Sequence, residues 1–276
     1  MRTLLICHDE AVLDREGLVR WLSSFSHVTG TLVIREPRRR LWKRIRREMT
    51  RVGPWRFLDV LAYRAYYRVL HAASDARWEA QALDALRSRY DRPVNAPEKV
   101  VDSPNAPDAE AFIRQCRPDL VIARCKTLLK EQVFSIPTLG TFVVHPGICP
   151  EYRNAHGCFW AVANGDLENV GATLLRIDRG VDTGPVFGYY RVAPDPARES
   201  HVRLQHRAVL ESLDAIRDTL IAIEAGRTTP IDTSGRPSAM WGQPWLSAAL
   251  RARHAAASRR GQPEDARIEM SPAERP

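Results

Sequence analysis

No stretch of this chain approaches the ~20 consecutive apolar residues that a membrane-spanning helix needs, so no helical span is expected. The N-terminus MRTLLICHDE has a basic residue and a short apolar run. Acids follow at once and no small-residue cleavage site appears, so it reads as a first strand rather than a signal peptide. Cysteine is sparse: Cys7, Cys116, Cys125, Cys149 and Cys158 are odd in number and contain no C-x-x-C pair. That argues against a zinc site or disulfide framework and for a reducing, cytoplasmic setting. Neither G-x-G-x-x-G nor G-x-x-x-x-G-K-S/T occurs, so the common glycine-rich phosphate cradles are missing, and no internal repeat is present. Acids are scarce from Arg35 to Arg56, where ten Lys/Arg face only Glu36 and Glu48. The overall charge of +8 is therefore local, and it speaks to partners rather than to fold.

With 44% hydrophobic and 27% charged residues, the 276-residue chain can bury a sizeable core and is not a disordered sequence. TLLICH (3–8), GTLVIRE (30–36), EKVVDSP (98–104), DLVIARC (119–125) and GTFVVH (140–145) read as strands alternating with helical patterns. VGATLLRID (170–178) and GPVFGYYRV (184–192) are two further strands around the turn RGVDT. This alternation predicts an α/β fold with a Rossmann-like, mostly parallel sheet and flanking helices. Residues 37–71 read as two amphipathic helices broken at Gly53-Pro54, a basic helical insert after the second strand that continues to about residue 90. A long helix is expected over 201–226. From 228 to 276 Pro, Ser, Arg and Ala dominate, and this extension reads as largely irregular with a disordered tail. The main domain is then 1–227.

HPGICPEYRNAHGCFWAVANGD followed by VGATLLRIDRGVDTGPV resembles the N-terminal catalytic domain of the folate-dependent formyltransferases. That family includes the glycinamide ribonucleotide, methionyl-tRNA and sugar N-formyltransferases. The resemblance runs from about Pro118 to Val186, with His-Pro, P-x-Y-R, W-A-x-x-N-G-D and D-x-G-x-D-T-G-P in the family's order. It implies a formyltransferase that moves the formyl group of 10-formyltetrahydrofolate, its co-substrate, to a small-molecule amine. An amino sugar is the acceptor that the family analogy suggests. Such a transfer develops negative charge on the formyl oxygen, which needs a donor, and requires a group that moves protons between two nitrogens. His145, at a strand end and stiffened by Pro146, stands where the family has its catalytic histidine, and Asp182 where it has its aspartate. Taken alone, the first could be a strand-end histidine and the second a turn aspartate.

Arg124, Lys126, Pro146, Tyr152, Arg153, Asn154, His156 and Thr183 are candidate substrate- or cofactor-binding positions, although Asn154 stands where the family usually has glycine and Lys126 where small residues are common. For Asn154, Lys126 and His156 the plainer readings are a turn residue, a solvated charge and a helix-start residue. Arg153 can anchor its loop through backbone carbonyls. The family has an asparagine two residues before the histidine, and here that position is Val143. Four readings follow: a slower enzyme, a donor supplied elsewhere, altered chemistry, or a domain that only binds folate or a sugar phosphate. A formyltetrahydrofolate hydrolase, with His145 and Asp182 activating water, is the rival within enzymology. Only 94 residues follow Asp182, against the sizeable β-barrel of the tRNA-modifying members, which counts against tRNA as acceptor. The basic insert at 37–71 allows three readings: a solvated face over a packed one, peripheral contact with an anionic membrane, or a nucleic-acid surface. Oligomeric state is not legible.

Overall fold

The computed structural model describes residues 1–260 apart from 93 and 197; at 38–41, 43, 44, 47 and 255–260 only the backbone is described. The tail expected to be disordered, 261–276, lies outside the described residues.

Strands β1 (Arg2–His8) and β2 (His27–Ile34) are joined through a π-helical turn over Leu13–Leu18 and helix α1 (Val19–Ser23). The insert follows as α2 (Arg38–Val52), α3 (Pro54–Leu70) and α4 (Ala72–Arg89). Then come β3 (Glu98–Val101), α5 (Pro107–Cys116), β4 (Leu120–Arg124), α6 (Glu131–Phe134) and β5 (Gly140–His145). A two-residue strand β6 (Arg153–Asn154) precedes α7 (Gly157–Ala163), β7 (Gly171–Arg176) and β8 (Val186–Arg191). The remainder is α8 (His201–Leu210), α9 (Leu213–Glu224), β9 (Met240–Trp241) and α10 (Leu246–Arg260).

Seven strands form one sheet in the order β3-β2-β1-β4-β5-β7-β8, and β6 pairs with β9 in a separate ladder. β1 to β5 pair in parallel, while β7 runs antiparallel to β5 and to β8. The expected Rossmann-like sheet is therefore present. Its central strands are apolar along their length because both faces are covered. Leu5, Ile122, Phe142 and Val144 meet Trp21, Leu22, Leu86 and Ile216 on one face. Leu4, Ile6, Val121 and Ala123 meet Ile113 and Val133 on the other.

Three local expectations change. β2 begins at His27 rather than Gly30, because His27 and Val28 already pair with Arg2 and Thr3 across a register shift. The single helix expected at 201–226 is two, α8 and α9. Ser212 Oγ donates to the Ala208 carbonyl at 2.7 Å, a back-bond that bends or breaks a helix. The extension from 228, expected to be largely irregular, contains β9 and α10. Trp241 and Trp245 pack on Trp160 of α7, with ring centroids 4.8 and 4.5 Å apart.

Candidate active site

The carboxyl ends of β4 and β5 open onto a loop, residues 146–156, that closes over His145. The imidazole is buried and held at both nitrogens. Nε2 lies 2.8 Å from the Tyr152 carbonyl oxygen. A carbonyl only accepts, so Nε2 carries a proton. Nδ1 is left facing Asp182 Oδ2 at 3.4 Å. The Asp182 carboxylate also accepts the Asn154 backbone N–H at 2.8 Å. His145 and Asp182 therefore converge on one cleft, at the sheet edge where α/β proteins place ligands.

Close backbone approach makes the His145–Tyr152 contact feasible. A side chain at Gly147 would come within 2.7 Å of the Tyr152 carbonyl and 2.8 Å of His145 Nε2, and one at Gly157 would stand 2.6 Å from Gly147 Cα. The two glycines are packed back to back. Of the four non-glycine residues with positive φ among the described residues, three are Asn154 (76°), His156 (57°) and Asp182 (51°). Left-handed backbone costs energy outside glycine, and its concentration at one cleft marks a constrained, functional loop.

The loop is fastened from several directions. Arg153 Nη1 donates to the Val181 carbonyl at 3.1 Å, which ties it to the turn carrying Asp182. Tyr152 is buried, its hydroxyl donating to Asp166 Oδ2 at 2.8 Å. Burial and this bond push its pKa up to about 12, so it remains a donor throughout the physiological range. Asp166, the last residue of the N-G-D motif, thus anchors the Tyr152 side chain. Asn154 donates its side-chain amide to the Trp241 carbonyl, and Trp241 Nε1 donates to the Glu151 carbonyl at 2.9 Å. Arg236 pairs with both Glu151 oxygens at 2.8 and 2.9 Å. Nothing in the sequence pointed to residues 236–242, because their pairing with 150–154 spans about 90 positions.

Other expected binding residues are placed differently. Pro146 sits between His145 and the loop, and its carbonyl accepts the Cys158 N–H. Arg124 is committed to the Val144 carbonyl (2.6 Å) and Asp14 (3.2 Å), so it steadies the strand end that carries His145. Thr183 Oγ1 donates to Asp178 at 2.8 Å and closes the Asp182 turn. Val143 packs against Cys149, Leu175, Val186 and Tyr189, an apolar seat where the family's asparagine would stand.

His156 lines a second wall with aromatic partners from the insert. His156 and His201 have ring centroids 5.3 Å apart, and Tyr63 of α3 bonds His201 Nδ1 at 2.9 Å. Burial, then the charges of Lys126 and Arg64, lower His156 to about 4. Lys126 is exposed, and its charge and that of Arg64 reach His156 against the opposing charge of Glu48. Burial likewise lowers His201, His71 and His206. With folded pKa values below the unfolded one, these histidines stay neutral when folded while the unfolded chain takes up protons below pH ~6.5. Stability is therefore expected to fall as pH drops from ~6.5 toward 5, before the usual carboxylates titrate. Thermal melts over that window check it, and His156→Gln should flatten the slope. A melting temperature independent of pH there would contradict the neutral-histidine wall.

By fold and site this is an α/β domain with an imidazole–carboxylate pair at the carboxyl edge of a Rossmann-like sheet. Residues 92–214 match the family model described as formyl transferase. It is similar to methionyl-tRNA formyltransferase of Bacteroides fragilis, 37% identical over 133 residues, which is 45% of this chain and 39% of that protein. The corresponding protein of Chlorobium chlorochromatii is 31% identical over 166 residues, 59% of this chain and 50% of its own. The chain thus spans half or less of these curated relatives. Two solved structures share the fold. Phosphoribosylglycinamide formyltransferase from Anaplasma phagocytophilum has a TM-score of 0.54 at 13% identity, covering 88% of this chain and 99% of that one. A sugar N-formyltransferase from a Shewanella species has 0.52 at 13% identity, covering 91% and 87%.

Proposed function

We propose that this protein transfers the formyl group of 10-formyltetrahydrofolate to the amine of a small, anionic acceptor, an amino sugar carrying a phosphate or nucleotide, in the cytoplasm. The observation that carries this reading is the His145–Asp182 pair, with one imidazole nitrogen spent on the Tyr152 carbonyl and the other turned to the carboxylate. In the transfer, the acceptor amine forms a C–N bond to the formyl carbon and the folate nitrogen loses its own. One proton leaves the amine and one is gained by the folate nitrogen. Asp182 takes the amine proton, and His145 at Nδ1 carries a proton within the same cleft. The Nε2–H bond to Tyr152 keeps the ring in one orientation throughout. Acid–base assistance of this kind contributes about 10²–10⁴-fold.

The charges of Lys126 and Arg64 that reach His156 support an anionic acceptor. Val143 leaves the formyl oxygen without the family's amide, so the protonated Nδ1 of His145 is the donor available to it. The test is incubation of the full chain with 10-formyltetrahydrofolate and amino sugars in free, phosphorylated and nucleotide-linked form, with methionyl-tRNA as the comparison acceptor. Folate absorbance and product mass are followed together. A formylated phosphosugar supports the reading. Formate released without formylated product makes it a hydrolase. Formylation of methionyl-tRNA alone overturns the acceptor class.

A further inference from the structure

Helix α3 presents two different faces. One carries buried Val60 and Tyr63, the latter against His201 and Phe159. Asp59 accepts from Ser247, which ties the helix to α10. The other face presents Trp55, Leu58, Ala62, Ala65 and Val69. At 3.6 residues per turn these five positions fall within an arc of about 80° and run roughly 21 Å along the axis. No charged position lies among them. Trp55 is 82% exposed, Leu58 55% and Val69 80%. On α2, Trp42 is 72% exposed, and Met49, two turns on along the same side, is 43% exposed. An apolar stripe of this length on a protein surface marks an interaction site.

Charge selects the occupant. Residues 38–70 contain eleven Lys/Arg and two acids, Glu48 and Asp59. A second copy docking through this helix pair would bring the same positive charge with it. A nucleic acid would meet the arginines, but it has no use for an uncharged stripe of Leu, Ala and Val. Tryptophan and aliphatic residues beside a dense basic sequence form the pattern of helices that lie in the plane of an anionic membrane. Among the described residues no helix is long and apolar enough to cross one. We propose that α2 and α3 seat the protein on an anionic lipid surface, with Trp55, Leu58 and Val69 entering the headgroup boundary and the α2 basic residues drawn to the charged leaflet. Tyr63, on the far side of α3, then places the His156 wall within about one helix diameter, ~10 Å, of the bilayer.

Vesicle sedimentation with the full chain tests this, comparing phosphatidylcholine alone with equal parts phosphatidylcholine and phosphatidylglycerol. The protein should pellet only with the mixed vesicles. Binding should fall at least tenfold as salt shortens the Debye length from about 10 Å to about 3 Å. Each basic residue near the surface is worth about fivefold in partitioning. Replacing Arg39, Arg40, Lys43 and Arg44 together by glutamine should therefore lower binding at least tenfold. Trp55→Ser with Leu58→Ser and Val69→Ser should lower it as much, with no loss of melting temperature because these side chains are exposed. If that triple variant fails to fold, the glutamine set and the blue shift of tryptophan fluorescence on the mixed vesicles decide. Wild-type protein left in the supernatant at low salt overturns the proposal. So does a folded triple variant that binds like wild type, since charge alone would also attract RNA. A concentration-dependent dimer that the triple variant abolishes, without vesicle binding, would assign the stripe to self-association and overturn it too.

Discussion

Asp182→Asn is expected to lower kcat/KM for formyl transfer by about 10²–10⁴-fold while barely moving the melting temperature. Asp182 sits at φ 51°, in the left-handed region that asparagine tolerates and β-branched residues do not. The substituted side chain keeps an oxygen for the Asn154 N–H, so the turn should hold. What is lost is the group that accepts a proton. An amide nitrogen turned toward His145 would donate to Nδ1 and lock the imidazole in its neutral form, with Nε2 still bonded to Tyr152. Asp182→Val, by contrast, should lower both activity and stability because it also strains the turn. Steady-state kinetics beside thermal melts separate the two effects. If Asp182→Asn keeps activity within tenfold of wild type, the carboxylate is not the proton acceptor.

Gly147→Ala should be as damaging by a different route. The new methyl would stand 2.7 Å from the Tyr152 carbonyl, 2.8 Å from His145 Nε2 and 2.9 Å from Gly157 Cα. Two of these are backbone atoms, so the loop itself must move. Overpacking of this kind costs about 1–3 kcal/mol, a drop of about 2–10 °C in a domain this size. Displacing the imidazole by as little as ~1 Å can cost ~10² in rate. The double substitution with Gly157→Ala should cost less than the sum of the two, because both open the same contact. NMR of the His145 Nε2 proton supplies the structural readout: the Tyr152-bonded signal should vanish in the variant. Retention of that signal together with full activity would show that the glycine pair does not hold the histidine.

The central sheet was legible because its inner parallel strands carry apolar runs between turn residues. That is what burial on both faces requires of Ile6, Val33, Ile122 and Phe142. His145 and Asp182 were legible because each closes a motif anchored to a strand end. Three things were not. The Tyr152 carbonyl is a backbone atom with no side-chain signature, yet it sets which imidazole nitrogen is free. The division between α8 and α9 falls at Glu211 and Ser212, where the periodicity of the apolar residues runs on unbroken. The third comprises Tyr63 meeting His201 across 138 positions, and β6 pairing with β9 across 87 through only two residues of each strand. Contacts that distant and that short leave no local pattern. Residues 236–245 therefore read as a ragged extension although Arg236 and Trp241 brace the His145 loop and Trp245 packs on Trp160.

That bracing bears on when the His145 cleft takes shape as the protein is made. The sheet is complete once β8 has emerged, about fifty residues before Trp241. Until then the His145 loop lacks its ladder partner, the carbonyl that Asn154 grips and the guanidinium that clamps Glu151. A nascent chain can thus be largely folded and still lack an assembled site. Assembly of the His145 cleft is among the last events of folding during synthesis.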